Sequence, residues 1–179
     1  MRTTLLCLLA LPIWGYAQDY VAQSAISQDN STPLNIGLGI GLDYGAFGVQ
    51  FQYRPEAHVA LFAGVGYALV GAGYNVGANF RILPDKRACP FISAMYGYNG
   101  VIMVKGASQY NEIYYGSSFG AGVELRKRSN NHFWRIELLI PQRPAAFHDD
   151  YEALKLNPSI KMGPEPPGFA ISGGFHWAF

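Results

Sequence analysis

The last twelve residues, 168–179, decide the fold of this chain and read GFAISGGFHWAF. Side chains in a β-strand point to opposite faces with a period of two, so alternate residues share a face. One face would carry Phe169, Ile171, Gly173, Phe175, Trp177 and Phe179. The other would carry Ala170, Ser172, Gly174, His176 and Ala178. The pattern predicts a strand with mostly large apolar side chains on one face and mostly small side chains on the other.

The same alternation begins at Leu34 and recurs along the rest of the chain. It predicts strands at about 34–43, 47–54, 59–67, 74–82, 92–104, 109–125, 134–140 and 168–179. Bacterial single-chain outer-membrane barrels have an even number of antiparallel strands. We therefore expect an all-β fold, an eight-stranded antiparallel up-and-down transmembrane β-barrel with a small and polar interior.

Three observations predict that the apolar faces point outward. None of those faces carries a charged residue, and a Lys or Arg facing lipid at mid-depth costs roughly 2–4 kcal/mol. An eight-stranded barrel is only wide enough for its own side chains, and the glycine-rich opposite faces would fit there. Those opposite faces also lack the Lys that protects and solvates the exterior strands of soluble proteins.

The closing strand, with its terminal aromatic residue, resembles the last strand of bacterial outer-membrane barrels. Residues 34–179 as a whole resemble the small eight-stranded barrels of the OmpA transmembrane-domain and OmpX-like families. The resemblance implies a cell outer membrane location and contact with lipid and lipopolysaccharide. It also implies that the barrel-assembly machinery reads an assembly signal formed by Phe175, Trp177 and Phe179. The outer loops show no metal-ligand spacing, phosphate-binding glycine loop or nucleophile motif, so no cofactor is expected.

The first 17 residues have the features of a secretory signal peptide. One cation precedes an apolar run from Leu5 to Ile13, and Ala17 is the expected last residue removed. Residues 18–33 are polar and aperiodic, and we expect a flexible periplasmic leader. Only Cys89 would remain, so no internal disulfide is expected.

Composition excludes other classes of protein. Charged residues make up 14% of the chain, against about 25% in an average soluble domain. The chain has 13 Lys and Arg against 12 Asp and Glu, and loss of Arg2 with the signal peptide would leave it neutral. A neutral chain argues against a nucleic-acid partner. After the signal peptide, no apolar run is long enough for a transmembrane helix.

The strand ends are rich in aromatic residues, which predicts a girdle at each membrane interface. The outer girdle would contain Tyr44, Tyr67, Tyr74, Tyr98 and Tyr115. The periplasmic girdle would contain Tyr53, Phe80, Trp134, Trp177 and Phe179.

A cluster of charged residues is expected inside the barrel, near the periplasmic ends of the strands. Its members are Arg54, Arg81, Glu124, Arg126, Arg135, Glu137 and His176. One interpretation is a plug of paired charges, because buried charges must be paired. The alternative is that four Arg against two Glu favour an anion, in a small anion-preferring pore.

Two long outer loops are predicted at about 100–114 and 141–167. The first would extend the fifth and sixth strands into a raised hairpin, whose free edges could bind an extracellular protein partner by strand addition. In the second, Phe147, Tyr151 and Leu154 have helical spacing and predict a short amphipathic helix on the barrel mouth.

We expect a monomer with a structural or surface-binding role and no catalytic activity. The alternative is a lipid A-modifying enzyme. A deacylase would need an outward serine, for which Ser117 is the candidate, although no outward histidine or acid accompanies it. An acyltransferase site would draw on the outer loops, where His148, Asp149, Asp150, Ser108 and Ser159 are available.

Overall fold

A computed structural model describes residues 33–104, 107–126, 132–157, 160 and 165–179. The predicted signal peptide lies outside the described residues, as does the predicted leader except for Pro33. Parts of the two long loops and most of the turn between the sixth and seventh strands also lie outside them.

The described chain forms one closed, eight-stranded antiparallel β-barrel, which confirms the predicted fold class. The strands are β1 (Leu34–Gly41), β2 (Ala46–Tyr53), β3 (Val59–Tyr67), β4 (Ala72–Arg81), β5 (Ala88–Ile102), β6 (Glu112–Arg126), β7 (His132–Pro141) and β8 (Ala170–Ala178). Each strand pairs with the next along the chain, and β8 pairs with β1. We call the end where β1 begins and β8 finishes the terminal end, and the opposite end the loop end.

The registers place the large apolar side chains outside and the polar ones inside. Residues that are half exposed or more occur on every strand, including Leu38, Phe51, Val65, Val76, Ile92, Phe119, Ile136 and Ile171. Buried polar residues alternate with them, including Asn35, Gln52, Asn79, Arg81, Ser93, Glu124, Arg135 and Ser172. This is the reverse of the usual arrangement in a soluble domain.

The connection between β1 and β2 folds into the barrel, and two predictions there are wrong. β1 ends at Gly41, and a 3-10 turn (Leu42–Tyr44) follows with all three side chains buried. Tyr44, predicted in the outer girdle, is 0% exposed, and Leu42, predicted to face outward, lies in the core. The left-handed φ of Gly45 (68°) and the positive φ of Ala46 (83°) bring the chain back to the wall.

The sequence did not predict the inward turn because part of its cause lies on β8, which is distant in sequence. Glycines on the facing strands leave the space that the Tyr44 ring occupies. A Cβ atom on Gly39 would lie 2.6 Å from a ring carbon of Tyr44, and one on Gly174 would overlap its hydroxyl. The small residues on the inner face therefore serve two purposes. They fit the narrow interior of the barrel, and they leave space for this turn.

β5 and β6 extend beyond the other strands as a hairpin, as predicted. β4 pairs with β5 only up to Asn75 and Gly97, whereas β5 and β6 stay paired up to Ile102 and Glu112. A β-bulge lies between Tyr98 and Gly100 in β5 and interrupts the alternation of inward and outward side chains there. Tyr98, predicted in the outer girdle, is 7% exposed and packs inside for this reason.

The predicted helix in the second long loop is present as α1 (Ala145–Lys155). Phe147 and Tyr151 form its buried side, and Leu154 is partly buried against the same cluster. In the part of the chain that the structure describes, no helix is long and apolar enough to cross a membrane.

Candidate functional site in the barrel interior and loop cap

All seven residues of the predicted charge cluster lie on the inner face of the barrel. Arg126 is partly exposed at the terminal end, and the others are buried. The buried members are Arg54, Arg81, Glu124, Arg135, Glu137 and His176. The structure divides the seven into two groups and places His176 between them.

The first group surrounds Glu124 at the terminal end of the barrel. One carboxylate oxygen of Glu124 lies 2.9 Å from Arg126, 3.2 Å from Arg81 and 3.8 Å from Arg54. Each of these cations comes from a different part of the wall, so one acid links β2, β4 and β6. The arrangement offsets charges that would otherwise be expensive to bury.

Arg81 also donates hydrogen bonds to two turns at the terminal end. Its Nη1 donates to the carbonyl of Ala57 at 2.6 Å, and its Nη2 donates to the carbonyl of Pro84 at 3.3 Å. The guanidinium therefore uses all three nitrogens, with Nε directed to Glu124. The planar five-donor geometry of arginine suits this role, which a lysine could not fill.

An aromatic ring separates the first group from His176. The guanidiniums of Arg54 and Arg126 lie 4.8 and 5.2 Å from the centre of the Phe133 ring. Phe133 in turn stacks on His176, with ring centres 4.7 Å apart. Cation–π contacts of this kind gain strength where water is excluded.

The second group surrounds Arg135 in the middle of the barrel. Its Nη2 donates to Glu137 at 2.6 Å and to Asn79 at 3.1 Å, while its Nε lies 3.6 Å from Oδ2 of Asp43. The Phe91 ring lies 4.2 Å from the same guanidinium. Ser93 donates a hydrogen bond to Glu137.

Asp43 is a member of this group that the sequence analysis missed. Alternation along the predicted strand 34–43 puts Asp43 on the inner face, and its position in the inward turn brings it to Arg135. Gln50 donates to its carboxylate at 3.0 Å, and Ser172 forms a short hydrogen bond with it. The four inner Arg residues thus face three acids rather than the two that the sequence analysis counted.

His176 connects the inward turn to both strands of the seam between β1 and β8. Its Nδ1 lies 2.8 Å from Oδ1 of Asn35, and its Nε2 lies 2.6 Å from the Tyr44 hydroxyl. The amide oxygen of Asn35 can only accept, so Nδ1 carries the proton, and the Nε2 atom of a neutral imidazole then accepts a hydrogen bond from the Tyr44 hydroxyl. A neutral imidazole satisfies both contacts.

No protein-family model and no curated protein matches this sequence. The closed eight-stranded antiparallel barrel is therefore the basis for comparing this chain with known folds.

The loop end is covered on one side by α1, which packs against the extended β5–β6 hairpin. Buried side chains from both elements meet there, namely Ile102, Val104, Tyr114, Phe147 and Tyr151. The Tyr114 hydroxyl donates to Asp150 at 2.7 Å. α1 and the hairpin thus form a small second core at the loop end, and we call these two elements the loop cap.

Arg143 holds the returning loop against this cap. Its Nη1 and Nη2 donate to the carbonyls of Pro166 and Pro167 at 3.0 and 2.8 Å. Burial lowers the pKa of the Arg143 guanidinium, an effect that the nearby Glu165 and Tyr98 oppose. Its guanidinium also lies over the Phe147 ring, with the guanidinium carbon 5.2 Å from the ring centre.

Among the loop residues considered for catalysis, His148 and Asp150 have side-chain contacts within the loop cap. His148 Nδ1 lies 3.2 Å from Glu165, and Asp150 accepts the Tyr114 hydrogen bond. Ser117 is exposed on the outer face of β6, as expected. Ser108 begins a short 3-10 turn, Asp149 is exposed on α1, and Ser159 lies outside the described residues.

The three aromatic residues of the predicted assembly signal lie on the outside of the barrel near its terminal end. Phe175 contacts Trp177 and Trp134, with ring centres 4.8 and 5.0 Å away. Phe179 is largely exposed, while its backbone N–H donates to the carbonyl of Leu34 at 3.0 Å. The last residue of the chain thus still pairs with the first residue of β1.

Proposed function

We propose that this protein is an outer-membrane β-barrel with a structural or surface-binding role and no catalytic activity. The observation that carries the proposal is the distribution of side chains around the closed barrel. Large apolar residues are exposed on every strand, and the charged strand residues that the structure describes are concentrated inside. Burying such a surface in lipid is favourable by about 25 cal/mol per Å², whereas water would leave it exposed.

Aromatic residues near the strand ends support the membrane location. Tyr67 and Tyr74 are exposed towards the loop end, and Tyr53, Trp134 and Phe179 are exposed towards the terminal end. Such residues favour the two interfaces of a bilayer. The terminal end would then face the periplasm, and the β5–β6 hairpin with α1 would lie outside the cell.

The filled interior supports a barrel that does not conduct. The inward turn (Leu42–Tyr44) occupies the loop-side half, while the Arg135 and Glu124 groups occupy the rest. Asp43 reduces the cationic excess on which the anion-preferring pore depends. We therefore favour the plug of paired charges over the pore.

The surface-binding role would reside in the extended hairpin. Beyond Gly97 in β5 and before Ser118 in β6, these two strands pair with each other and with no other described strand. The free edges lie above the rest of the barrel, and α1 stiffens the hairpin by packing on one face. An extended segment of an extracellular protein could add to such an edge through main-chain hydrogen bonds.

The proposed partners follow from this location. The outer face would contact lipid and lipopolysaccharide, and the barrel-assembly machinery would read Phe175, Trp177 and Phe179. The protein would act as a monomer.

The location is tested by expressing the full chain in a Gram-negative host and separating soluble, inner-membrane and outer-membrane fractions. We expect the protein in the outer-membrane fraction, with different gel mobility before and after boiling. Recovery of the folded chain from the soluble fraction without detergent would overturn the proposal.

The enzymatic alternative is tested separately by mass spectrometry of lipid A from cells with and without the protein. We expect identical acylation patterns. A gained or lost acyl chain that depends on His148 or Ser117 would replace the proposed role by that of a lipid A-modifying enzyme.

A further inference from the structure

The seam between β1 and β8 differs from the other seven because it joins strands from opposite ends of the sequence. Every other pair of neighbouring strands is consecutive in the chain. Bringing distant segments together carries a larger loop-closure entropy than closing a hairpin. The seam therefore depends more than the others on interactions that form only after the barrel has closed.

Glycine weakens the same seam. Gly39 pairs directly with Gly174, Gly37 pairs with His176, and Ile40 pairs with Gly173. Cross-strand side-chain pairs are a main source of sheet stability, and a glycine contributes no side chain to them. On the outer face Leu38 lies opposite Phe175, but the inner face of the seam has little side-chain packing between its two strands in the middle.

Side chains from the inward turn cross this seam and bind the inner face of β8. The Tyr44 hydroxyl contacts His176 at 2.6 Å, and Asp43 contacts Ser172. The Ser172 hydroxyl also lies 3.2 Å from the carbonyl of Ile40 on β1. These contacts join the turn that follows β1 to the last strand of the chain.

The seam glycines give this turn the space to enter. The positions next to the Tyr44 ring are Gly39 on β1 and Gly174 on β8, and a Cβ at either would collide with it. The residues that weaken direct pairing across the seam are therefore those that admit the turn.

We propose that the turn Leu42–Tyr44 is a latch that holds the β1–β8 seam closed from inside the barrel. Docking of Asp43 and Tyr44 on β8 replaces the side-chain packing that the seam glycines omit. When the latch is weakened, the seam opens locally while the other strands remain paired.

The test is hydrogen exchange of the purified, folded full chain, read by mass spectrometry strand by strand. Tyr44→Phe removes the hydroxyl that binds His176, and Ser172→Ala removes the hydroxyl that binds Asp43. We expect each change to speed exchange in β1 and β8 by roughly 3- to 10-fold, as for one buried hydrogen bond. Exchange in β3 and β4, on the far side of the barrel, stays within about twofold of the parent, as distant sites are nearly independent.

Tyr67→Phe is the matched control, because its hydroxyl donates to the carbonyl of Leu69 and does not cross the seam. It should leave exchange in β1 and β8 unchanged. Gly174→Ala is a second latch variant that displaces the Tyr44 side chain without removing any polar group. Equal acceleration in all strands, or no acceleration in β1 and β8, would overturn the latch. Neither result depends on where in the cell the barrel resides.

Discussion

The Nε atom of Arg135 on β7 lies 3.6 Å from Oδ2 of Asp43, a residue from the turn after β1. This ion pair joins the wall of the barrel to the segment that fills it. Both side chains are almost completely buried, so neither can regain water if the other is removed. Their pairing offsets part of the cost of burying these two charges.

Removing Arg135 is therefore expected to destabilise the protein strongly. In Arg135→Gln, the carboxylates of Asp43 and Glu137 lose their cation. Breaking a buried pair in this way costs about 3–5 kcal/mol. Urea-induced unfolding of the detergent-solubilised barrel measures the loss.

Lys155→Met is the control for this experiment. Lys155 and Glu152 form an exposed pair at 3.3 Å on α1, and such pairs contribute about 0–1 kcal/mol. An equal loss of stability in both variants would mean that the interior pair has no special role.

Glu124→Gln should destabilise the terminal end because it removes an acid from among cations, whereas Arg135→Gln removes a cation from among acids. Arg54, Arg81 and Arg126 would share a neutral amide in place of a carboxylate, and their mutual repulsion would no longer be offset. We expect a loss of about 3–5 kcal/mol. A second change, Arg126→Gln, should restore part of it, since Arg126 is the most exposed of the three. If the double variant is no more stable than Glu124→Gln, repulsion among these cations is not the cause.

The loop cap should loosen independently of the barrel when Phe147 is shortened. Phe147 is fully buried against the hairpin, and Phe→Ala substitutions in such sites cost about 3–5 kcal/mol. In Phe147→Ala we expect faster proteolytic cleavage within residues 103–111, with unchanged resistance of the strands. His148→Ala, an exposed neighbour on the same helix, is the control and should be cleaved at the parent rate. Cleavage throughout the barrel would show that cap and barrel unfold as one unit.

Deleting Phe179 should lower the amount of barrel assembled in the outer membrane. The residue is largely exposed and forms one backbone hydrogen bond to Leu34, so its loss should affect stability little once the barrel has folded. Quantifying heat-modifiable protein in outer-membrane fractions measures assembly, and unfolding of the purified variant measures stability. Normal assembly of the truncated chain would mean that Phe179 only packs against its surroundings.

The parent protein should show no discrete channels in planar lipid bilayers. The inward turn and the two charged groups fill the interior, and their ion pairs hold the filling side chains in place. Recordings at both polarities over a range of salt concentrations test this expectation. Reproducible unitary steps that prefer anions would support the pore alternative instead.

The alternation of side chains was sufficient to predict the strands and their outer faces. From Leu34 to Phe179 the large apolar residues recur with a period of two, and a closed sheet is the arrangement that satisfies such strands without leaving edges. The same pattern identified the inner charged residues, because Arg81 or Glu137 could occupy an otherwise apolar strand only on its inner face. Helical spacing of Phe147 and Tyr151 was likewise sufficient for α1.

Tertiary structure alone decided which residues Asp43 contacts and where Tyr44 and Tyr98 lie. Periodicity describes a side chain relative to its own strand, whereas these three depend on a turn and a bulge that depart from the strand pattern. The space that admits Tyr44 comes partly from Gly174, which is distant in sequence and becomes a neighbour only when β8 pairs with β1. The sequence determined the wall of the barrel by itself, and closure of that wall determined what fills it.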